Sequence, residues 1–263
     1  MRLGLIKADS LIRILNWVGT PAVGLYFFSM VIYPWFSGGG GWSNVQKVWM
    51  DWQALNVGIL AFISSLVAFN ISNHHANQQR EREFLAARSF LPEALSELTS
   101  YFKQSANLLT EAWNRAKDDS DRCKTPLEDP VPKLPENYKE IFSRCIALAE
   151  PEVAGYLSYV LMRLQVHHAR VVDLNESFQP ESNMLITKEN IRSYLYRLGE
   201  LQALVGRLFN YSRGIEKFDD SPLSWDDFKN AYGNLDLWIE EIDDLKGFTK
   251  RAIVRGDNHG WKA

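Results

Sequence analysis

The sequence predicts an all-α protein in which an N-terminal two-helix transmembrane hairpin precedes a cytosolic helical bundle. Overall composition, 46% hydrophobic and 23% charged, is ordinary, but the average conceals a boundary. Between Ile14 and Arg80 the only formally charged side chains are Lys47 and Asp51, whereas charges are dense beyond Arg80. Two uncharged runs before that boundary each reach the length needed to cross about 30 Å of hydrocarbon. Beyond it, apolar residues recur at helical spacing and no strand pattern stands out. These observations divide the chain into a hairpin over 1–72, with spans at about 14–36 and 52–72, and a cytosolic domain over 73–263.

The first span runs from Ile14 to Phe36. Pro21 and Pro34 are compatible with it, because membrane helices tolerate proline and Pro34 falls at the end. Arg2 and Lys7 precede the run as in a secretory signal, but the run is too long and no A-x-A site follows. A glycine-rich turn over Ser37 to Asp51 leads to the second span, Trp52 to Ser72. Tyr33, Trp35, Trp42, Trp49 and Trp52 gather near the membrane ends, where amphipathic rings prefer the headgroup region.

Basic residues set the orientation. Arg2, Lys7 and Arg13 precede the first span, Arg80, Arg82 and Arg88 follow the second, and only Lys47 lies between, so both termini are expected in the cytoplasm. The second span carries Ala54, Gly58, Ala61, Ser65, Ala68 and Ser72 in alternating steps of four and three. Such a seam of small residues lets two helices approach closely, either the first span of the same chain or the matching helix of a second copy in a homo-oligomer. Asn56 and Asn70 can add interhelical hydrogen bonds. With no ionisable residue inside either span, a proton-coupled transport pathway has no groups to use.

Past Ser72 the second span continues into the charged region without a break before Pro92, which marks a kink or a new helix start. Leu95, Leu98, Phe102, Leu109 and Trp113 then form an apolar helical face. The proline-rich stretch over 118–135 is a loop. Helix resumes from Glu136 to about Asp173, divided near Pro151, with Val153, Leu157, Val160, Leu164 and Val171 as its stripe. Two further helices follow, from Lys188 to Tyr211 after a Thr187 cap and from Trp225 after a Ser224/Asp227 capping box. A last stripe of Trp238, Ile242, Leu245 and Phe248 continues the helical pattern towards the C-terminus.

The function classes narrow mostly by exclusion. A net charge of -3 argues against a general nucleic-acid surface, and no direct nucleic-acid partner is expected. Cys123 and Cys145 lack metal-ligand spacing and are read as reduced cytosolic thiols, so neither a structural metal nor a cofactor is implied. His74 and His75 are read as solvated residues at the membrane boundary, and the C-terminal acids from Asp219 to Asp244 as a solvated face without calcium-loop spacing. Phosphate-loop, dinucleotide, zinc-protease and serine-hydrolase signatures are all absent.

One cluster carries possible chemistry, RLQVHHAR from Arg163 to Arg170. Its Arg-x4-His spacing resembles the motif of HEPN-family ribonucleases, helical proteins that cleave RNA without metal at a dimer groove. The resemblance implies that Arg163 stabilises phosphate charge and His168 transfers a proton, although Leu164 stands where that family usually has a polar residue. The layout of the whole chain, two spans followed by a cytosolic helical part, resembles bacterial two-transmembrane effectors of antiphage defence, such as those associated with retrons. That resemblance implies a multi-pass protein of the bacterial inner membrane that permeabilises the bilayer when a regulatory protein partner releases its cytosolic domain. The other readings are a non-enzymatic membrane anchor that presents a helical binding domain, and a membrane-tethered HEPN-like ribonuclease.

Overall fold

The computed structural model describes residues 8–37, 41–117, 125–184 and 186–256, with side chains from Trp17 onward. Expectations resting on Arg2, Lys7, the Arg13 side chain, Cys123 and segment 118–124 lie outside the described residues. The described residues are helical with no strand, and the chain divides into two compact units, Met1–Ala76 and Asn77–Ala263.

The first unit begins with α1 (Ala8–Phe27), a π-helical turn (Phe28–Ile32) and α2 (Tyr33–Phe36). Pro34, which has no N–H to give to the preceding turn, follows the π-helical turn directly, and the Trp49 indole N–H donates to the Met30 carbonyl within that turn at 3.0 Å. Trp49 belongs to α3 (Trp42–Asp51), a helix where the sequence reading placed only a glycine-rich turn. Its signal is Trp42, Val45 and Trp49 at steps of three and four; Val45 is buried, and the Trp42 ring centroid lies 5.9 Å from that of Trp35. The Asn44 amide donates to the Pro34 and Ser37 carbonyls at 3.1 and 2.6 Å and so satisfies the end of α2.

Next comes α4 (Gln53–Arg88), which begins within the first unit and ends within the second. Among the described residues one helical stretch, Gln53–Ala116, is long and apolar enough to cross a membrane, and only 6% of its apolar window is buried. The uncharged run up to Ser72 lies in α4.

A turn at Ser89 and Phe90 ends α4, and α5 (Leu91–Lys117) starts with Pro92 in its first turn, where a missing N–H costs no helical bond. The expected α5 face is realised, with Leu95, Leu98, Phe102, Leu109 and Trp113 all buried. Beyond α5 the described part of the proline-rich loop is pinned to the helix. Glu111 accepts the backbone N–H groups of Glu128 and Asp129, while Arg115 donates to the carbonyls of Thr125 and Pro126.

The second unit continues with α6 (Tyr138–Leu148), α7 (Pro151–Ser177), α8 (Lys188–Ser212), α9 (Trp225–Asn234), a 3-10 turn (Ile239–Glu241) and α10 (Leu245–Arg255). Pro151 opens α7, the Thr187 hydroxyl accepts the Asn190 N–H at the start of α8, and the Ser224/Asp227 capping box forms at α9. The expected α7 stripe is buried throughout, and α8 is enclosed on every side, since all residues from Leu198 to Val205 are buried.

The last stripe is corrected. The helix stops at Asn234, Trp238 is 70% exposed, and only Ile242 and Leu245 are buried, with Phe248 packed at the edge of the core. Asp236 and Asp244 take left-handed backbone conformations, φ 56° and 58°, and these two turns break the periodicity into separate pieces. Cys145 is buried in the core, where burial pushes its thiol up to about 11.

Gly199 sets the distance between α8 and α9. A methyl group there would lie 2.5 Å from Cε1 of Tyr232, whose hydroxyl is itself hydrogen-bonded to the buried Thr249 at 2.8 Å. Gly199→Ala is expected to destabilise the protein by about 1–3 kcal/mol through overpacking, measured by denaturant unfolding of the full chain. A stability equal to wild type would mean that the Tyr232 ring moves aside freely.

Candidate functional site

The Arg163–Arg170 cluster lies on α7, and its members turn to different neighbours. Arg163 donates to Glu200 on α8 at 2.5 Å; Arg197 reaches the same carboxylate at 3.0 Å, and the Tyr159 hydroxyl donates to its other oxygen at 3.4 Å. Glu200 is 0% exposed, so this is an ion pair inside the bundle and not a cation waiting for phosphate.

His168 turns instead towards α5, where its Nδ1 lies 3.0 Å from the Tyr101 hydroxyl. Burial and the nearby Lys139 hold its pKa below the ordinary histidine value. The five-residue spacing separates Arg163 and His168 by about 140° around a helix, so the two do not converge on one reacting centre within the chain. His167, between them in sequence, is buried, with edge-on ring contacts to Tyr101 and Phe102. Burial first, then the charges of His168, Arg170 and Arg163, push it down to about 3, so it is a neutral core residue near pH 7.

On α4 the small-residue seam faces away from the chain's own packing. Ala54, Gly58, Ala61, Ser65, Ala68 and Ser72 are exposed, and a Cβ on Gly58 would meet nothing within 4 Å. The less exposed face carries Asn56, Ile59, Ile63 and Leu66. Asn56 is buried, accepts from the Tyr26 hydroxyl and donates to the Trp49 carbonyl. Large apolar residues on other faces of this stretch, Leu55, Leu60 and Phe62 among them, are exposed as well. Asn56 makes the interhelical bond the sequence allowed, whereas Asn70 donates to Leu66 in its own helix.

The charged end of α4 is held by the bundle. Arg80 donates from Nε to the Leu148 carbonyl at 3.0 Å and from Nη2 to the Ala149 carbonyl at 2.7 Å, and so caps the C-terminus of α6. Arg88 lies over the Tyr211 ring on α8, 5.3 Å from its centroid. His74 and His75 are exposed, with ring centroids 6.3 Å apart.

The C-terminal acids read as solvated are exposed, Asp227 excepted, and several acids of this segment are also paired. Asp227 pairs with Arg207 at 2.8 Å, Asp244 with Arg251 at 2.5 Å and Asp236 with Lys103 at 3.1 Å. Among the described residues, no group of three or more His, Cys, Asp or Glu could hold a metal ion. Sequence reasoning missed Glu200 and Tyr101, and read Arg80 only as part of the charge asymmetry, not as the cap of α6. The Arg197/Glu200 spacing of three was visible, but only tertiary contacts show that the carboxylate is buried.

Comparison with protein-family models, curated proteins and solved structures finds no match to this chain.

Two predictions follow from this geometry. Glu200→Ala leaves Arg163 and Arg197 facing each other without a counter-charge, and a loss of about 3–5 kcal/mol in chemical unfolding is expected. His167 binds a proton in the unfolded chain near 6.5 but in the folded chain only near 3, so stability falls as pH drops through that window. In His167→Gln the fall between those limits should be shallower than in wild type; parallel pH profiles would remove His167 from the acid response.

Proposed function

We propose that this chain is a regulated effector of the bacterial inner membrane, with two spans, cytoplasmic termini and a cytosolic bundle that holds a membrane-perturbing segment in check. The observation that carries the reading is that one helix, α4, contains the apolar run and ends in arginines gripped by the bundle, Arg80 on the end of α6 and Arg88 on Tyr211. Release of those two arginines by a regulatory protein partner frees the helix that enters the bilayer.

Further support comes from the exposed seam on α4. With Gly58 uncovered and the Asn56 face already used, the small residues are available to a second copy, and self-association of spans is one way for a two-span protein to disturb a bilayer. The exposed rings of Trp35, Trp42, Trp49 and Trp52 fit an interfacial belt at the far side of such a hairpin. The further assignment to antiviral defence, as its toxic part, rests on the likeness of layout to two-transmembrane antiphage effectors. The ribonuclease reading is not carried forward, because Arg163 is committed to Glu200.

The test is membrane-potential dye uptake in bacteria after controlled expression of the full chain, alongside the Arg80→Ala/Arg88→Ala variant. Faster depolarisation by the variant at equal membrane abundance is expected. Intact potential with both proteins, at confirmed insertion, would replace the effector with a membrane anchor that presents the helical domain.

A further inference from the structure

A groove within the first unit is built from two short stretches of chain. Val31 and Trp35, one helical turn apart on the π-helical turn and α2, form one wall, and Trp42, Val45, Trp49 and Met50 on α3 form the other. Two hydrogen bonds prop α3 in place, from the Asn44 amide to the Pro34 carbonyl and from the Trp49 indole to the Met30 carbonyl. The space left between the walls is about 590 Å³, within the range of small-molecule sites. Its lining is apolar apart from Gln46.

Charge lies along one edge of this groove. Lys47 and Asp51 are the only formally charged residues between Ile14 and Arg80, and both fall on α3. At about 100° per residue, Lys47 stands about 60° further round the helix than Met50, and Asp51 about 40° beyond Lys47, so the two charges follow the edge that Gln46 and Met50 form. Both side chains are exposed. Lysine and aspartate at this spacing are able to answer each other, yet among the described residues no ion pair joins them.

An apolar chain joined to a headgroup with one anion and one cation answers the groove and its edge together. We propose that this groove holds an acyl chain of a zwitterionic phospholipid, phosphatidylethanolamine. The chain lies among Trp35, Trp42 and Trp49, the phosphate meets Lys47, and the ammonium meets Asp51. Indole rings favour the level of the bilayer where chain and headgroup join, which is where such a lipid needs them. A headgroup without the ammonium would leave the Asp51 carboxylate beside an unanswered phosphate, so the pair of charges selects between headgroups. The inference rests on the hairpin reading, under which α3 lies at the bilayer surface, but not on the contacts of Arg80 or Arg88.

Native mass spectrometry of the full chain, extracted from bacterial membranes in mild detergent, reads the bound lipid directly. Wild type is expected to retain one phosphatidylethanolamine. After delipidation and resupply with equal amounts of phosphatidylethanolamine and phosphatidylglycerol, it should take the first over the second by about fivefold or more. Val31→Trp fills the groove and should lose the lipid. Lys47→Gln/Asp51→Asn changes two exposed sites and should keep a lipid without the preference, whereas Asp51→Lys should turn the preference towards phosphatidylglycerol. Membrane-inserted wild type free of lipid, lipid retained equally by Val31→Trp, or an unchanged preference in the Lys47 and Asp51 variants would each overturn the proposal and leave the effector reading to its own depolarisation test. A full chain absent from the membrane fraction would overturn both.

Discussion

A carboxylate without access to water, Glu200, lies on the helix that the rest of the bundle surrounds. Leu198 to Val205 are buried all round α8, so no charge there can be left to solvent. Arg163 from α7 and Arg197 from the preceding turn converge on Glu200, and their geometry fixes how α7 lies along α8. The same enclosure explains Gly199, which lets Tyr232 lie against α8, and the stack of Tyr196 on Phe228, with centroids 5.4 Å apart. A buried pair of this kind contributes little net stability over an apolar replacement, but strongly disfavours arrangements that separate its members.

The second organising feature is that the longest helix joins two compositions, an apolar run and a charged end. Within α4 an uncharged, exposed face gives way to a charged segment, and the change takes place without a proline, a glycine pair or a turn to interrupt the backbone. Both arginines near its end make contacts that use their shape as well as their charge. Arg80 forks onto two adjacent carbonyls of α6, and Arg88 lays a planar guanidinium on an aromatic ring. A lysine at either place would supply the charge without the fork or the stack.

Elements were legible where local chemistry alone decides them. Pro92 and Pro151 open helices, Ser224 with Asp227 forms its capping box, and the apolar stripes of α5 and α7 are buried as their periodicity required. Two features were misread. The helix α3 was hidden by the glycines before it, and the last stripe was cut by two residues in left-handed conformations. For α3 the missing quantity was its contact with Met30 and Trp35 earlier in the chain, and for the stripe a pair of local turns that periodicity does not report.

What the sequence by itself determined is the all-helical class, the position of the apolar run and most helix starts, because periodicity, charge and caps act over a few residues. Tertiary structure alone decided that Arg163 and His168 part company, that the small-residue seam stays uncovered, and that α3 leaves an apolar groove beside Val31 and Trp35. The physical reason is the same throughout. A helix presents side chains in every direction around its axis, and which of them become buried, paired or free is set by the neighbours that arrive from elsewhere in the chain.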